Sequence, residues 1–257
     1  MNNGVTIVIP AFREEGNIEA AIDNALRAAQ KVTQDYEIIV VDDGSPDKTG
    51  DFARLKAQSN SHIRVAVNAV NEGFGYSFAR GVKMAGKEFI TVFPGDNDMS
   101  ALSLKDLIEA RGSADLVISF MQKTNKRSFF RRFVSKIFTM IMNLLFGLKL
   151  KYYNGPFICR TSLLKSLPIK STGLAALAEC VVRLIKQGIS WRAIYFEHTG
   201  RRHEKSKAFN LKSINAVLKT IWILWRDIYI TKFVTPAASL CEAKRQGSRH
   251  GFPLSRE

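Results

Sequence analysis

Two carboxylates that lie two residues apart, Asp96 and Asp98, follow an apolar run at residues 89–93. The aromatic and β-branched residues of that run predict a buried strand. In extended backbone, side chains at i and i+2 point the same way, so both carboxylates are expected to face one ligand. Carboxylate oxygens suit Mg²⁺ or Mn²⁺, and such an ion can in turn hold a diphosphate. For this short motif taken alone, a plain polar loop is the alternative.

A second acidic cluster follows another apolar run. Residues 37–41 predict a buried strand, and Asp42 and Asp43 come directly after it, ahead of turn-forming residues at 44–47. In a parallel sheet the carboxyl ends of the strands meet at one edge, where ligands gather. Two carboxylate clusters at one predicted edge favour a ligand site more strongly than either cluster does alone.

The elements that must position these clusters alternate along the first half of the chain. Further strands are predicted at residues 5–9 and 63–67, and helices at about 14–31, 51–59 and 75–84. This alternation predicts an α/β fold with a mostly parallel central sheet and helices on both faces.

Gly73 and Gly75 precede and open the third of these helices. Glycines at that point allow close backbone approach, and a helix N-terminus favours an anion. The spacing is not the full dinucleotide fingerprint, so phosphate contact and close packing both stay open.

The charge of the chain is strongly positive and uneven. The 257 residues carry a net charge of +15, and no acidic residue lies between Asp115 and Glu179. A basic block of this size indicates an anionic partner such as lipid phosphate, an acidic substrate or nucleic acid, with a merely solvated surface as the alternative. Nucleic acid fits poorly, because the basic residues are interleaved with apolar helix rather than with stacking aromatics on strands.

Two long helices in the second half are predicted to be amphipathic, at residues 129–148 and 211–233. Each is interrupted by charge before it reaches the ~20 apolar residues that cross a bilayer. Basic and aromatic residues beside apolar faces favour the membrane interface, and a core position is the alternative. We therefore expect a catalytic domain over 1–210, with halves at 1–115 and 116–210, then an amphipathic helix at 211–235. A basic, mobile tail is expected at 236–257.

Four motifs in the first hundred residues resemble those of the family 2 glycosyltransferases, which have the GT-A nucleotide-diphospho-sugar transferase fold. They are Val8–Glu15, Val41–Asp47, Asn71–Gly73 with Ala79–Gly81, and Asp96–Asp98. The resemblance implies that Asp96 and Asp98 form the metal and diphosphate site, with Asn97 where a small residue is commoner. It also implies a nucleotide site that, besides Asp96 and Asn97, contains Pro10, Phe12, Glu14, Asp42, Asp43 and Arg80.

The second half is similar to the dolichyl-phosphate mannose synthases and their bacterial polyprenyl-phosphate relatives. The likeness rests on Arg131 and Arg132 with Ser135, on Tyr153–Phe157, on Glu179, and on Arg202 with Ser206 and Lys207. In that branch, basic and hydroxyl positions grip the phosphate of the acceptor. The resemblance thus implies that Arg131, Arg132, Ser135 and Arg202 hold an acceptor phosphate.

These features predict an inverting transfer of a sugar from a UDP- or GDP-sugar to a polyprenyl phosphate of the dolichyl or undecaprenyl type. A phosphate monoester is largely a dianion at neutral pH, so no general base is needed. The alternatives are a saccharide hydroxyl acceptor, with Glu179 as general base, and a non-catalytic membrane-binding adaptor. No signal-peptide pattern is seen, and three scattered cysteines favour a reducing compartment, so a peripheral position on the cytoplasmic face of the membrane is expected. The sugar, the base and the oligomeric state stay open, a homo-oligomer included.

Overall fold

The computed structural model describes residues 3–121, 129–196 and 211–231. Within these residues, seven strands form one sheet in the order β3-β2-β1-β4-β6-β5-β7. The strands are β1 Val5–Ala11, β2 Tyr36–Asp42, β3 Ile63–Val67, β4 Phe89–Val92, β5 Leu116–Met121, β6 Phe157–Arg160 and β7 Trp191–Phe196.

Helices cover both faces of this sheet. The first four are α1 Ile18–Gln30, α2 Thr49–Ser59, α3 Phe74–Met84 and α4 Ala101–Glu109. The others are α5 Phe129–Phe146, α6 Thr161–Lys165, α7 Ala176–Lys186 and α8 Leu211–Trp225, which continues as a π-helical turn at Arg226–Ile230.

The pairing of the strands confirms the predicted α/β architecture. β1 lies parallel to both β2 and β4, with Val5 opposite Tyr36 on one side and Phe89 on the other. β7 is also parallel to β5, whereas β6 runs antiparallel to both β4 and β5. The sheet is therefore mixed but mostly parallel, as expected for strands joined by helical crossovers.

Strands β1 and β2 are buried along their whole length, which explains their continuous apolar sequences. Alternate residues point to opposite faces and enter two separate hydrophobic clusters. Val8 and Val41 join the cluster that contains α3 and α7, and Ile7 and Ile9 join the one that contains α1.

Some boundaries differ from the predictions. The first helix begins at Ile18 rather than at residue 14, because the chain turns through residues 12–17 first. The last predicted helix changes from α to π geometry after Trp225. α4 was not predicted, although Ser100 supplies a recognisable cap: its hydroxyl accepts a hydrogen bond from the Ser103 amide at 3.0 Å.

Candidate functional site

Two acidic clusters flank the carboxyl end of β1. The chain runs from β1 outward to β2 and β3, then returns to place β4 on the other side of β1. This reversal creates a crevice at the carboxyl edge of the sheet, the usual ligand position in such folds. Asp42 ends β2 and Asp43 follows it, and Asp96 and Asp98 follow β4, so the predicted carboxylates lie on either side of the end of β1.

Asp43 organises the loop that leads into α3. Its carboxylate accepts hydrogen bonds from the amides of Glu72 at 3.0 Å and Gly73 at 2.8 Å, and from the Asn68 side chain at 2.7 Å. The side chain is only 3% exposed. Asp43 thus fixes the loop at residues 72–73 that leads into α3.

Asn68 was missed by the sequence reasoning. Its amide nitrogen donates to Asp43 and to the Ser77 hydroxyl at 2.8 Å, and its oxygen accepts from Arg80 at 2.5 Å. It therefore joins two of the predicted nucleotide-site residues. Asn68 follows β3 directly, so the rule that singled out polar residues after β2 and β4 could have found it.

The loops after β1 and β2 are hydrogen-bonded to each other. The amide of Arg13 donates to the Ser45 hydroxyl at 3.0 Å, and the amide of Glu14 donates to the Thr49 hydroxyl at 2.8 Å. Asp42, also 3% exposed, accepts from the Ser45 amide at 3.1 Å. These bonds hold Glu14 and Asp42 on adjoining loops of one rim.

Pro10 and Phe12 lie at the same end of β1. Pro10 is buried in the strand opposite Val41. Phe12, in the loop that follows, is half-buried, and the Arg13 guanidinium lies 5.4 Å from the centre of its ring. Its partly exposed ring is available for stacking against a nucleobase.

The Asp96–Asp98 segment is a turn, so the expectation of extended backbone is wrong. Asn97 has a φ of 55°, in the left-handed region. The Asp98 amide donates to the Asp96 carboxylate at 3.2 Å, which is the local bond of an Asx turn. All three side chains are half-buried at the rim. The turn, rather than the i, i+2 geometry of a strand, therefore sets the relative positions of the two carboxylates.

The carboxylates of Asp96 and Asp98 suit a metal ion whose remaining coordination positions are filled by a bound ligand. Within the described ranges, no group of three or more His, Cys, Asp or Glu residues could enclose an ion. Mg²⁺ is commonly held by one or two carboxylates together with substrate phosphates. A pair of carboxylates at a rim, Asp96 and Asp98, therefore fits a cation that arrives with a diphosphate.

Close packing, not an open anion site, explains the two glycines at the start of α3, Gly73 at its N-cap and Gly75 in its first turn. Gly73 has a φ of 96°, which glycine adopts without strain, and its amide is taken by Asp43. The Gly75 amide donates to the Thr172 carbonyl at 2.7 Å, and a Cβ at Gly75 would lie 2.0 Å from the Ser171 carbonyl oxygen. The backbone at 171–172 therefore seals this helix start.

Glu179 belongs to a buried ionic cluster. It is 1% exposed and accepts bonds from the Arg183 guanidinium at 2.9 Å and from the amides of Lys170 at 3.2 Å and Ser171 at 2.8 Å. Arg183 also donates to Asp227 in the π-helical turn, at 2.8 Å. A carboxylate so engaged is poorly placed to act as a general base.

Asp227 anchors the C-terminal helix to this cluster. Burial alone would raise the pKa of its carboxyl, but hydrogen bonds from Lys170, Arg183 and Arg226 outweigh burial and hold that pKa well below its usual range. Asp227 therefore stays ionised and joins the π-helical turn to α7 and to residue 170.

The predicted acceptor residues are only partly described. Ser135 lies on α5, half-buried, and its carbonyl accepts a bond from the Thr139 hydroxyl at 2.9 Å. The side chains of Arg131 and Arg132 lie outside the described residues, as do Arg202, Ser206, Lys207 and the tail at 236–257. Whether these residues meet at one site stays a prediction.

Sequence comparison adds named relatives. Residues 6–167 match the sequence profile of a family described as glycosyl transferase family 2. A protein of Edwardsiella ictaluri, undecaprenyl-phosphate 4-deoxy-4-formamido-L-arabinose transferase, is 23% identical over 86% of this chain and 67% of its own. The dolichol-phosphate mannosyltransferase of Pyrococcus furiosus is 27% identical over 70% of this chain and 52% of its own. The chain spans about a third to two thirds of the length of the curated relatives it matches.

Structure comparison confirms the GT-A fold. Glucosyl-3-phosphoglycerate synthase of Mycobacterium tuberculosis, in complex with phosphoglyceric acid, matches with a TM-score of 0.66 at 19% identity. The match covers 86% of this chain and 79% of that one. Other structures of that enzyme hold UDP with Mn²⁺ or with Mg²⁺.

Proposed function

Because the chain belongs to the family 2 glycosyl transferases, we propose that it transfers a sugar, with inversion, from a nucleoside diphosphate to a polyprenyl phosphate at a membrane surface. The observation that carries the donor side is the convergence of Asp42, Asp43, Asp96 and Asp98 at the carboxyl ends of β2 and β4, on either side of β1.

The nucleoside binds between the loops after β1 and β2. Phe12 stacks on the base, and Glu14, Asp42 and Arg80 line its polar edge. Asp43 contributes indirectly: its carboxylate accepts hydrogen bonds from the two backbone amides of the loop at 72–73 and so fixes that loop. These roles are supported by the position of the residues at one edge of the sheet and by the hydrogen bonds that join the loops after β1 and β2.

Asp96 and Asp98 hold Mg²⁺ or Mn²⁺ together with the diphosphate. A divalent cation at this position neutralises charge on the leaving diphosphate. The UDP complexes of glucosyl-3-phosphoglycerate synthase with Mn²⁺ and Mg²⁺ support a metal of this class, since the fold is shared.

The acceptor is a lipid phosphate rather than a saccharide hydroxyl. The names of the two relatives support this choice, because both describe transfer to a polyprenyl-type phosphate. A phosphate dianion is already nucleophilic, whereas a hydroxyl needs a general base. Glu179, the candidate base, is buried and paired with Arg183, which favours the acceptor that needs none. Ser135, Arg131, Arg132 and Arg202 are the proposed phosphate ligands.

The exposed faces of α5 and α8 supply the contact with the membrane. None of the described helices is long and apolar enough to cross a bilayer. Yet one face of α5 exposes Phe133, Ile137, Met140, Ile141 and Leu144, the last at 82%. α8 and its π-helical turn expose Leu218, Trp222, Tyr229 and Ile230.

The two helices meet where the Tyr229 hydroxyl donates to the Leu145 carbonyl at 3.1 Å. Lys136 and Lys219 are exposed on the same helices. Apolar side chains flanked by lysines are typical of helices that lie in an anionic membrane interface.

The decisive experiment is transfer from a panel of UDP- and GDP-sugars to a short polyprenyl phosphate in detergent, with Mg²⁺ or Mn²⁺. We expect a phosphate-linked product, lost by at least about a hundredfold in Asp98→Ala because the metal stabilises the leaving group by several kcal/mol. Asp106→Ala, which removes a carboxylate from α4 away from the turn, is the matched control and should retain activity. If the protein binds nucleotide but no lipid phosphate accepts sugar, the acceptor assignment is wrong and saccharide acceptors follow.

Membrane contact is tested separately by flotation with vesicles that contain phosphatidylglycerol. Leu144→Glu and Trp222→Glu should each weaken binding, because they place a negative charge on an exposed apolar face. Leu55→Glu, at a similarly exposed leucine on α2, is the control. Equal binding by all three variants would remove α5 and α8 from the interface.

A further inference from the structure

Asn97 occupies the strained position of the turn that carries Asp96 and Asp98. Its φ of 55° lies in the left-handed region, which disfavours residues with a side chain, although asparagine tolerates it better than most. The residue therefore combines a backbone conformation natural to glycine with a side chain that can form hydrogen bonds. Its side-chain amide can therefore bind a neighbouring element.

The Asn97 side chain is bound to helix α1. Its oxygen accepts a hydrogen bond from the Asn24 amide nitrogen at 2.7 Å. The Asn24 oxygen in turn accepts from the Arg27 guanidinium at 2.8 Å. Because a guanidinium only donates, it orients the Asn24 amide with its nitrogen toward Asn97.

The rest of the turn is fixed to the end of β1. A Cβ at Gly95 would lie 2.8 Å from the Pro10 carbonyl oxygen and 2.9 Å from the Ala11 side chain, so this segment packs directly on the strand. The backbone amide of Asn97 also donates to the Pro94 carbonyl at 3.1 Å. The Asn24 contact thus links the tip of the turn to helix α1.

We propose that Asn24 and Asn97 are positioning residues that hold the Asp96–Asp98 turn in the shape that binds a divalent cation with a nucleoside diphosphate. This inference rests on the proposed function. With the side-chain bond in place, the two carboxylates are ordered before the cation arrives. Without it, cation binding must also order the turn, and that conformational cost lowers affinity.

The test is Mn²⁺ affinity, measured from the electron paramagnetic resonance signal of free Mn²⁺. Titrations contain UDP or GDP, whichever the wild-type protein binds. Asn24→Ala removes the donor, and Asn97→Gly removes the acceptor while it keeps the left-handed turn accessible. Each should weaken Mn²⁺ binding about three- to tenfold, the effect of losing one hydrogen bond. The double variant should bind no more weakly than the weaker single variant, because both changes break the same contact.

Gln30→Ala is the matched control. It removes an amide side chain from the same helix, one that donates to the Tyr36 hydroxyl at 3.1 Å, and should leave Mn²⁺ affinity unchanged. Wild-type affinity in both Asn24→Ala and Asn97→Gly would overturn the inference, as would fully additive losses in the double variant. Asp98→Ala distinguishes failure of the proposed metal site from failure of the positioning role. If this variant binds Mn²⁺ like the wild type, the metal site of the proposed function is itself misassigned. If only Asp98→Ala loses the ion, the site stands and the positioning role fails.

Discussion

Buried carboxylates in two regions of the described structure differ in the donors that hold them. Asp43, in the nucleotide half, is held by two backbone amides and the Asn68 side chain, all neutral. Glu179 and Asp227, in the second half, share the guanidinium of Arg183. Two backbone amides also bind Glu179, and Lys170 is a further cation on Asp227. Neutral donors stabilise a carboxylate without cancelling its charge, whereas cationic donors neutralise it.

This difference in donors suggests different roles: Asp43 lies at the proposed ligand site, whereas Glu179 and Asp227 hold structural elements together. A carboxylate held by neutral donors, as Asp43 is, keeps its negative charge and can attract a cation or position a polar ligand. Charge compensated inside the protein holds elements together instead, here α7, the π-helical turn and residue 170. Removing a cation should therefore destabilise the second region, and removing a carboxylate should impair ligand binding in the first.

The largest effect is expected for Arg183→Met. This variant leaves two buried carboxylates without their shared guanidinium, and breaking a buried pair in this way costs about 3–5 kcal/mol. The free energy of unfolding, measured in urea, should fall by that amount. Arg54→Met, which breaks an exposed pair with Asp51 on α2, should change it by less than about 1 kcal/mol. Similar losses in the two variants would mean that the cluster is no stronger than a surface pair.

Gly75→Ala tests the place where the two regions touch. The added Cβ would lie 2.0 Å from the Ser171 carbonyl, a backbone atom that cannot rotate away. We expect a loss of about 2–3 kcal/mol in unfolding free energy, typical of overpacking. Gly173→Ala is the control, since a Cβ there meets nothing within 4 Å. A stable Gly75→Ala protein would show that the contact between residue 171 and α3 yields easily.

Asp43→Asn probes the neutral donors at the rim. An amide keeps the shape but presents its own nitrogen to one of the donors, which leaves a buried N–H group unsatisfied. The expected loss is about 1–2 kcal/mol, together with weaker binding of the donor nucleotide, measured by calorimetry. Asp51→Asn, an exposed change on α2, should alter neither quantity. Unchanged nucleotide binding in Asp43→Asn would separate this carboxylate from the site.

The smallest effect concerns pH. The folded pKa of Asp227 is below the ordinary value of 3.8, so the unfolded chain binds more protons as pH falls through 3.8. Its stabilisation is therefore complete well above that value and is lost progressively below it. The stability gap between wild type and Asp227→Asn should narrow by about 1 kcal/mol between pH 5 and pH 3. A gap that stays constant or widens over this range would contradict the assigned pairing.

The sequence carried much of the fold and the location of the rim. β3 was predicted with the observed ends, and β1, β2 and β4 to within two residues. β1, β2 and β4 are buried along their whole length, so their sequences are continuous apolar runs. The placing of Asp42, Asp43, Asp96 and Asp98 after β2 and β4 followed from the same runs. β6 runs antiparallel, a direction that four residues cannot reveal by their own pattern.

The conformation of the Asp96–Asp98 turn could not be predicted from the sequence, for a different reason. The i, i+2 reasoning assumed a strand, but Pro94 and Gly95 end the extended run and Asn97 takes a left-handed conformation. The sequence marks such a place as a turn without saying how its side chains are held. Asn97 stands where a small residue is commoner in the family, and its side-chain oxygen is bound to Asn24.

Residue types and their spacing were enough to determine strands β1 to β4, helices α1 to α3 and the two acidic clusters, because these depend on neighbours along the chain. The tertiary structure alone decided that Asn24 holds Asn97, that Asn68 joins Asp43 to Arg80, and that Arg183 reaches Asp227. Most of these partners lie 25 to 73 residues apart. Their contacts exist only after helices have packed on the sheet, since no local periodicity records which polar side chains burial will bring together.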